Sequence, residues 1–188
     1  MKAHFFLAIP VLGSANQSLV NWKEEHSSHF PFQKWIHPQD LHITLVFLGH
    51  VEKAQLIALG EQIDKTIKNY HSFTITLNEL NTFGDLNRPR IFWAGVEKPE
   101  QLMKLQMDIA QTCVNVGLDI EKRPYRPHIT LARRWKANGM YTPALANELF
   151  TAEYQRSWEV EKIHLYQSHP GKSPMYEPIQ TFFLSTNV

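Results

Sequence analysis

Apolar and polar positions divide this chain into two similar series of elements. An apolar run over 4–9 reads as a strand, 16–27 as an amphipathic helix and about 41–48 as a second strand. The same order returns as a strand over 91–96, a helix over 99–116 and a strand over 127–132. In that second helix Leu102, Leu105, Ile109, Cys113 and Val116 recur at three- and four-residue intervals after Pro99. Further helices are predicted over 53–69 and 143–150, the first carrying Leu56, Ile57, Leu59, Ile63 and Ile67 as an apolar stripe. Strands follow each of these: Phe73, Ile75 and Leu77 alternate with Thr74, Thr76 and Asn78, a counterpart spans 160–166, and a last strand lies near 179–184. Segments rich in turn residues at 31–40, 84–90, 122–127 and 169–178 separate the elements.

Such a series predicts an α+β fold in which two lobes, each with an antiparallel or mixed sheet and outer helices, flank a central cleft within one domain over 1–188. The composition, 43% apolar and 20% charged, is that of a chain able to bury a core. No apolar run approaches the ~18 to 20 residues of a membrane span, and the opening residues pass into a strand without a signal-peptide pattern, so a soluble, cytoplasmic monomer is expected. The lone cysteine, Cys113, excludes an internal disulfide and belongs to a helical core stripe. A net charge of +1 provides no broad basic field for a long duplex, so any nucleic-acid contact is local.

The candidate chemistry lies in a repeated tetrapeptide, His42-Ile43-Thr44-Leu45 and His128-Ile129-Thr130-Leu131. The two histidines are 128 minus 42, or 86, residues apart, and the same offset matches Phe6 to Phe92 and Ala8 to Ala94, as expected of a duplicated unit. On a strand each histidine shares a face with the threonine two residues on. Histidine titrates near neutrality, so a pair of imidazoles can serve as base and acid together, and a hydroxyl beside each suits a phosphate oxygen. Lys122, Arg123, Arg126, Arg133, Arg134 and Lys136 gather around the second motif. Strand parity puts Arg126 and Arg134 on the face of His128 and Thr130, and Arg133 on the other face unless the strand ends or bulges before it. Parity also assigns Phe47 to the core, leaving Trp35, Tyr125 and Trp135 as loop candidates for base stacking. No Asp/Glu/His cluster at ligand spacing surrounds either motif, so no metal or other cofactor is expected.

The segments Leu41-His42-Ile43-Thr44-Leu45-Val46-Phe47-Leu48-Gly49 and Arg126-Pro127-His128-Ile129-Thr130-Leu131-Ala132-Arg133, with Phe-Phe-Leu-Ala-Ile-Pro at 5–10, resemble the two-histidine phosphoesterase superfamily. More narrowly, the chain looks like the RNA 2′,3′-cyclic phosphodiesterases, also called LigT-like or 2′-5′ RNA ligase-like proteins. The resemblance implies a bilobal fold with one His-x-Thr from each lobe at a shared cleft, and hydrolysis of RNA or nucleoside 2′,3′-cyclic phosphates to a 2′-phosphomonoester. It further implies His42 as general acid and His128 as general base, a choice that two identical motifs leave open by themselves, with Thr44 and Thr130 binding phosphate. The partners would be RNA 3′ ends or small cyclic nucleotides. Two rival readings use the same residues: 2′-5′ ligation of RNA ends, and a noncatalytic module that binds RNA ends or nucleotides.

Overall fold

In the computed structural model, which describes residues 3–136 and 141–186, the periodic segments become β1 (His4–Pro10), α1 (Gly13–His26), β2 (Phe32–Trp35), β3 (His42–Gly49), α2 (Lys53–Ile67), β4 (Phe73–Gly84) and β5 (Pro89–Val96). They continue as α3 (Glu100–Asn115), β6 (His128–Trp135), α4 (Pro143–Leu149), β7 (Ser157–Val160), β8 (Lys162–Ser168) and β9 (Tyr176–Phe183). The fold is α+β. The strands pair in the order β7-β4-β5-β6-β3-β1-β8-β9, with β2 added alongside β6. Instead of two separate sheets, there is one path through both halves, joined where Ile43 on β3 pairs with Ile129 on β6.

The halves exchange strands. β4 follows the first His strand in the chain yet pairs with β5, and β8 follows the second yet pairs with β1. Each His strand therefore ends one of two matching triplets, β8-β1-β3 and β4-β5-β6. This interlocking explains why the chain buries one main core, running from Leu7, Ile9 and Ile43 to Ala94, Ile129 and Leu165.

Helices cover that core for the reason their spacing predicts. Leu102, Leu105, Ile109 and Cys113 of α3 are all buried, as are Leu59, Ile63 and Ile67 of α2, each such side chain contributing about 1.5–3 kcal/mol on leaving water. Ile57 departs from the expected stripe: it lies a helical step off the buried face and is 57% exposed. Between α2 and α3 the Thr66 and Thr112 hydroxyls bond at 3.0 Å, and the Tyr70 hydroxyl donates to the Asp108 carboxylate. Burial pushes the Cys113 thiol up to about 12, as suits a packed core residue.

Two strands were not legible in the sequence. β2 lies in the turn-rich segment 31–40, too short to show alternation, and β7 is separated from β8 by Glu161 alone, so that the two read as one run. The segment 169–178, expected to be a loop, is already strand from Tyr176.

The 86-residue match of the opening strands also needs correction. Ala8 pairs with Thr44 and Leu7 with Val46, while Trp93 pairs with Thr130 and Phe92 with Ala132. Ala8 is thus the counterpart of Trp93, and Leu7 of Phe92. Phe6 and Phe92, though identical, face opposite sides: Phe6 packs with Ala8 and Tyr166 on the cleft face, and Phe92 lies in the main core. Just after each motif threonine the ladder skips one residue, Leu45 in β3 and Leu131 in β6, and β3 skips a second, Leu48, near its end. The skips at Leu45 and Leu131 are matching β-bulges, and each leaves two consecutive buried residues, Leu45-Val46 and Leu131-Ala132.

Candidate active site

Along each His strand the motif alternates as strand geometry requires. His42, Thr44, His128 and Thr130 are partly exposed, while Ile43, Leu45, Ile129 and Leu131 are buried. Continuing the antiparallel register one residue either side of Ile43 and Ile129 sets His42 across from Thr130 and Thr44 across from His128. The four side chains occupy one face, about a local two-fold axis.

Both imidazoles are oriented alike. His42 Nδ1 lies 2.6 Å from the carbonyl oxygen of Asp40, and His128 Nδ1 lies 2.7 Å from that of Arg126. A carbonyl oxygen only accepts, so Nδ1 carries the proton in each ring and donates it, leaving Nε2 with a lone pair for chemistry. Burial is the main influence on both rings. It lowers the His42 pKa to about 4 despite the Asp40 carbonyl bond and the Asp40 carboxylate, with the charges of His128 and Arg133 adding to the fall. The His128 pKa is lowered as well, first by burial and then by Arg133, against the bond to Arg126. The free site thus holds two neutral imidazoles near neutral pH.

Aromatic rings enclose each histidine. Phe6, Tyr176 and Tyr166 lie 4.9, 5.2 and 5.9 Å from the His42 ring, and Phe83 and Trp93 lie 4.9 and 5.9 Å from that of His128. A groove of about 710 Å³ leads away from His128 past Phe83, Trp93 and Arg126. Another of about 420 Å³, bordered by Gln39, His164, Tyr166 and Tyr176, flanks the His42 side.

The bulge at Leu131 decides the arginines. It shifts parity by one, so Arg133, half-buried, returns to the cleft face, where its charge acts on both imidazoles. Arg134, the residue that parity favoured, takes a left-handed φ of 62° and is exposed. Arg126 is exposed at the rim of the larger groove. The bulge at Leu45 does the same to Phe47, which is 55% exposed and not in the core.

None of the three loop candidates for stacking stands beside the histidines. Trp35 and Trp135 are strand residues packed around Phe32, and Tyr125 packs against the main core. The rings that do, Phe6 on β1, Phe83 on β4, Trp93 on β5, Tyr166 on β8 and Tyr176 on β9, come from the strands ranged on either side of the two motif strands, and only the strand order could have identified them. Among the described residues no group of three His, Cys, Asp or Glu is arranged to hold a metal ion, and no helix is long and apolar enough to cross a membrane.

A model of the 2′-5′ RNA ligase superfamily matches residues 16–172. The RNA 2′,3′-cyclic phosphodiesterase of Geobacillus stearothermophilus is 35% identical over 96% of this chain, which spans 57% of that protein's length. That of Bacillus subtilis is 33% identical, with 98% of each chain covered. Among solved structures, E. coli LigT in apo form has a TM-score of 0.76 at 25% identity, covering 98% of this chain and 99% of that one. E. coli LigT complexed with 3′-AMP has a TM-score of 0.79 at 24% identity with the same coverage. With the family model spanning most of the residues and a relative matched end to end, the chain belongs to the 2′-5′ RNA ligase superfamily.

Proposed function

We propose that this protein is an RNA 2′,3′-cyclic phosphodiesterase that hydrolyses RNA and nucleoside 2′,3′-cyclic phosphates to 2′-phosphomonoesters without a metal. The observation that carries this reading is the pair of Nε2 atoms, each freed by an Nδ1 bond to a carbonyl and presented on one face of two adjoining strands. The names of the relatives from Geobacillus stearothermophilus and Bacillus subtilis support the same reaction.

Water attacks phosphorus and gives its proton to His128 Nε2. As the P–O3′ bond breaks on the opposite side, the departing 3′ oxygen takes a proton from His42 Nε2, leaving the phosphate on the 2′ oxygen. Asp40 supports a proton on His42 and opposes the fall in its pKa, while Arg133 lowers both rings, so the division of acid and base between the two histidines follows the family resemblance and not the charges. Since the free site is neutral, the arriving phosphate anion supplies the field that lets His42 become imidazolium. Thr44, Thr130 and Arg133 would donate to the nonbridging oxygens as their charge grows, with Arg126 and Arg134 further out.

Joining RNA ends through a 2′-5′ linkage would use the same two histidines with a 5′-hydroxyl in place of water, and bulk water favours hydrolysis. The matching strand triplets and bulges support residues 1–188 as one domain built from a duplicated unit. Working as a cytoplasmic monomer on RNA 3′ ends or small cyclic nucleotides fits the near-neutral charge and the single cysteine. Incubation with each nucleoside 2′,3′-cyclic phosphate in the presence of a chelator, followed by phosphorus NMR, tests the reaction. Accumulation of the 2′-monoester is expected; a 3′-monoester, or no turnover, would contradict it.

A further inference from the structure

Asp40 ends the short 3₁₀ turn Pro38–Asp40 that leads into β3, two residues before His42, and its carboxylate is buried, the residue being only 5% exposed. The two carboxylate oxygens accept from the backbone N–H groups of Met175 and Tyr176 at 2.7 and 3.0 Å, where the chain enters β9. The Asp40 carbonyl oxygen is the acceptor of the His42 Nδ1 proton, at 2.6 Å. One residue thus grips the start of β9 with its side chain and the imidazole with its backbone. From the other side the turn is held by Asn16 of α1, whose Nδ2 donates to the carbonyls of Val11 and Pro38, each at 2.9 Å.

A buried carboxylate is costly without a countercharge, and among the described residues Asp40 forms no ion pair with a lysine, arginine or histidine. Holding a strand end does not call for that cost, because β9 is already joined to β8 from Tyr176↔Ser168 to Phe183↔Lys162. What the arrangement adds is direction: with the turn fixed at both ends, the carbonyl that receives the Nδ1 proton cannot swing away, so the ring keeps one tautomer and Nε2 one aim. At the second motif the corresponding carbonyl belongs to Arg126, whose side chain is exposed, so two tetrapeptides identical from histidine to leucine differ in the residue that holds the ring. We propose that Asp40 is the positioning residue of His42, its carboxylate locking the turn whose carbonyl orients the imidazole. Its negative charge also favours the imidazolium form, against His128 and Arg133 of β6. The other groups against the ring carry no charge: Phe6 of β1, and Tyr166 of β8 and Tyr176 of β9, whose hydroxyls burial pushes up. The proposal rests on the reading of His42 as a proton-transfer group and names the residue that sets its geometry.

Asp40→Ala and Asp40→Asn test it on the full chain, compared with His169→Gln, which loosens the same hairpin by removing the 2.7 Å bond from His169 Nε2 to Glu177 and leaves Asp40 in place. The readouts are kcat and KM for 2′,3′-cyclic AMP across pH, and the nitrogen NMR signals of the His42 ring. Asp40→Ala is expected to lower kcat about 10- to 100-fold with little change in KM, the cost of misaiming a reacting group. Asp40→Asn keeps one oxygen as acceptor and should recover part of that loss. Both variants lack the charge, so in both the limb of the kcat profile that His42 sets should move to lower pH. His169→Gln should leave rate and profile unchanged. In the NMR spectrum the parent should show a single tautomer with the proton on Nδ1, and Asp40→Ala a mixture. Parent-like kcat and profile in Asp40→Ala, or an equal loss in His169→Gln, would overturn the positioning role while leaving the phosphodiesterase reading in place. No turnover by the parent would overturn that reading, and the NMR comparison then decides the role of Asp40 by itself. Should circular dichroism show Asp40→Ala unfolded, the profile and spectrum of Asp40→Asn decide in its place, parent-like values overturning the role.

Discussion

Ile43 and Ile129 are Cα partners at the point where β3 meets β6, and both are fully buried. This one apolar pair joins the two halves of the sheet, and each isoleucine is flanked by the histidine and threonine of its own motif. Position on the local axis makes the contact both a packing element and the rule that sets two imidazoles on one face.

Truncating either isoleucine should therefore affect stability and geometry together. Ile43→Ala is expected to lower unfolding stability by about 2–5 kcal/mol, as for other buried isoleucines. Measured by urea denaturation, a loss below about 1 kcal/mol would show that the junction is loosely packed.

The bulge at Leu131 leads to a distinction between neighbouring arginines. Arg133, returned to the cleft, should weaken substrate or phosphate binding about 10- to 100-fold when changed to alanine, whereas exposed Arg134 should change it by less than about threefold. Binding of 2′-AMP to the two variants checks this, and the reverse ranking would mean that simple alternation holds through the strand.

That arginine pair marks the limit of what the sequence could tell. Alternation through His42-Ile43-Thr44 and His128-Ile129-Thr130 is local, and it correctly gave the motif faces because no irregularity interrupts those three residues. One residue later, the bulges at Leu45 and Leu131 are set by pairing with β1 and β5, which no local pattern records. Phe47 was misplaced for that reason, while Arg133 meets the exception that parity allowed, a bulge before it. The helices over α2 and α3 were legible because their stripes repeat for several turns, while four-residue β2 and β7 offered too few positions. The aromatic rings around the histidines come from strands distant in the chain, so they required the topology.

Rate should depend on pH in a way that separates the free site from the occupied one. Burial holds both imidazoles below the ordinary 6.5, His42 at about 4, so the bell-shaped kcat/KM profile, which reports free enzyme, should be centred below pH 6.5. Bound phosphate raises the pKa values, moving the kcat optimum upward. A kcat/KM profile centred above the ordinary histidine value would count against the neutral pair.

Stability carries the same signature. The native state keeps His42 neutral while the unfolded chain takes up a proton near 6.5, so unfolding gains from the extra proton as pH falls from 6.5 toward about 4. That contribution is absent well above 6.5 and reaches at most about 3.5 kcal/mol at the acid end, at roughly 1.4 kcal/mol per unit. His42→Ala should therefore gain in urea midpoint relative to the parent on going from pH 8 to pH 5. A constant difference across that range would show that the ring titrates normally in the folded protein.

The central claim is that two imidazoles act on one phosphorus atom, and turnover of 2′,3′-cyclic AMP by His42→Ala and His128→Ala tests it most directly. Each substitution should lower kcat by at least about 10²- to 10⁴-fold with the fold retained by circular dichroism. Either variant hydrolysing the cyclic phosphate at the parent rate would contradict the account.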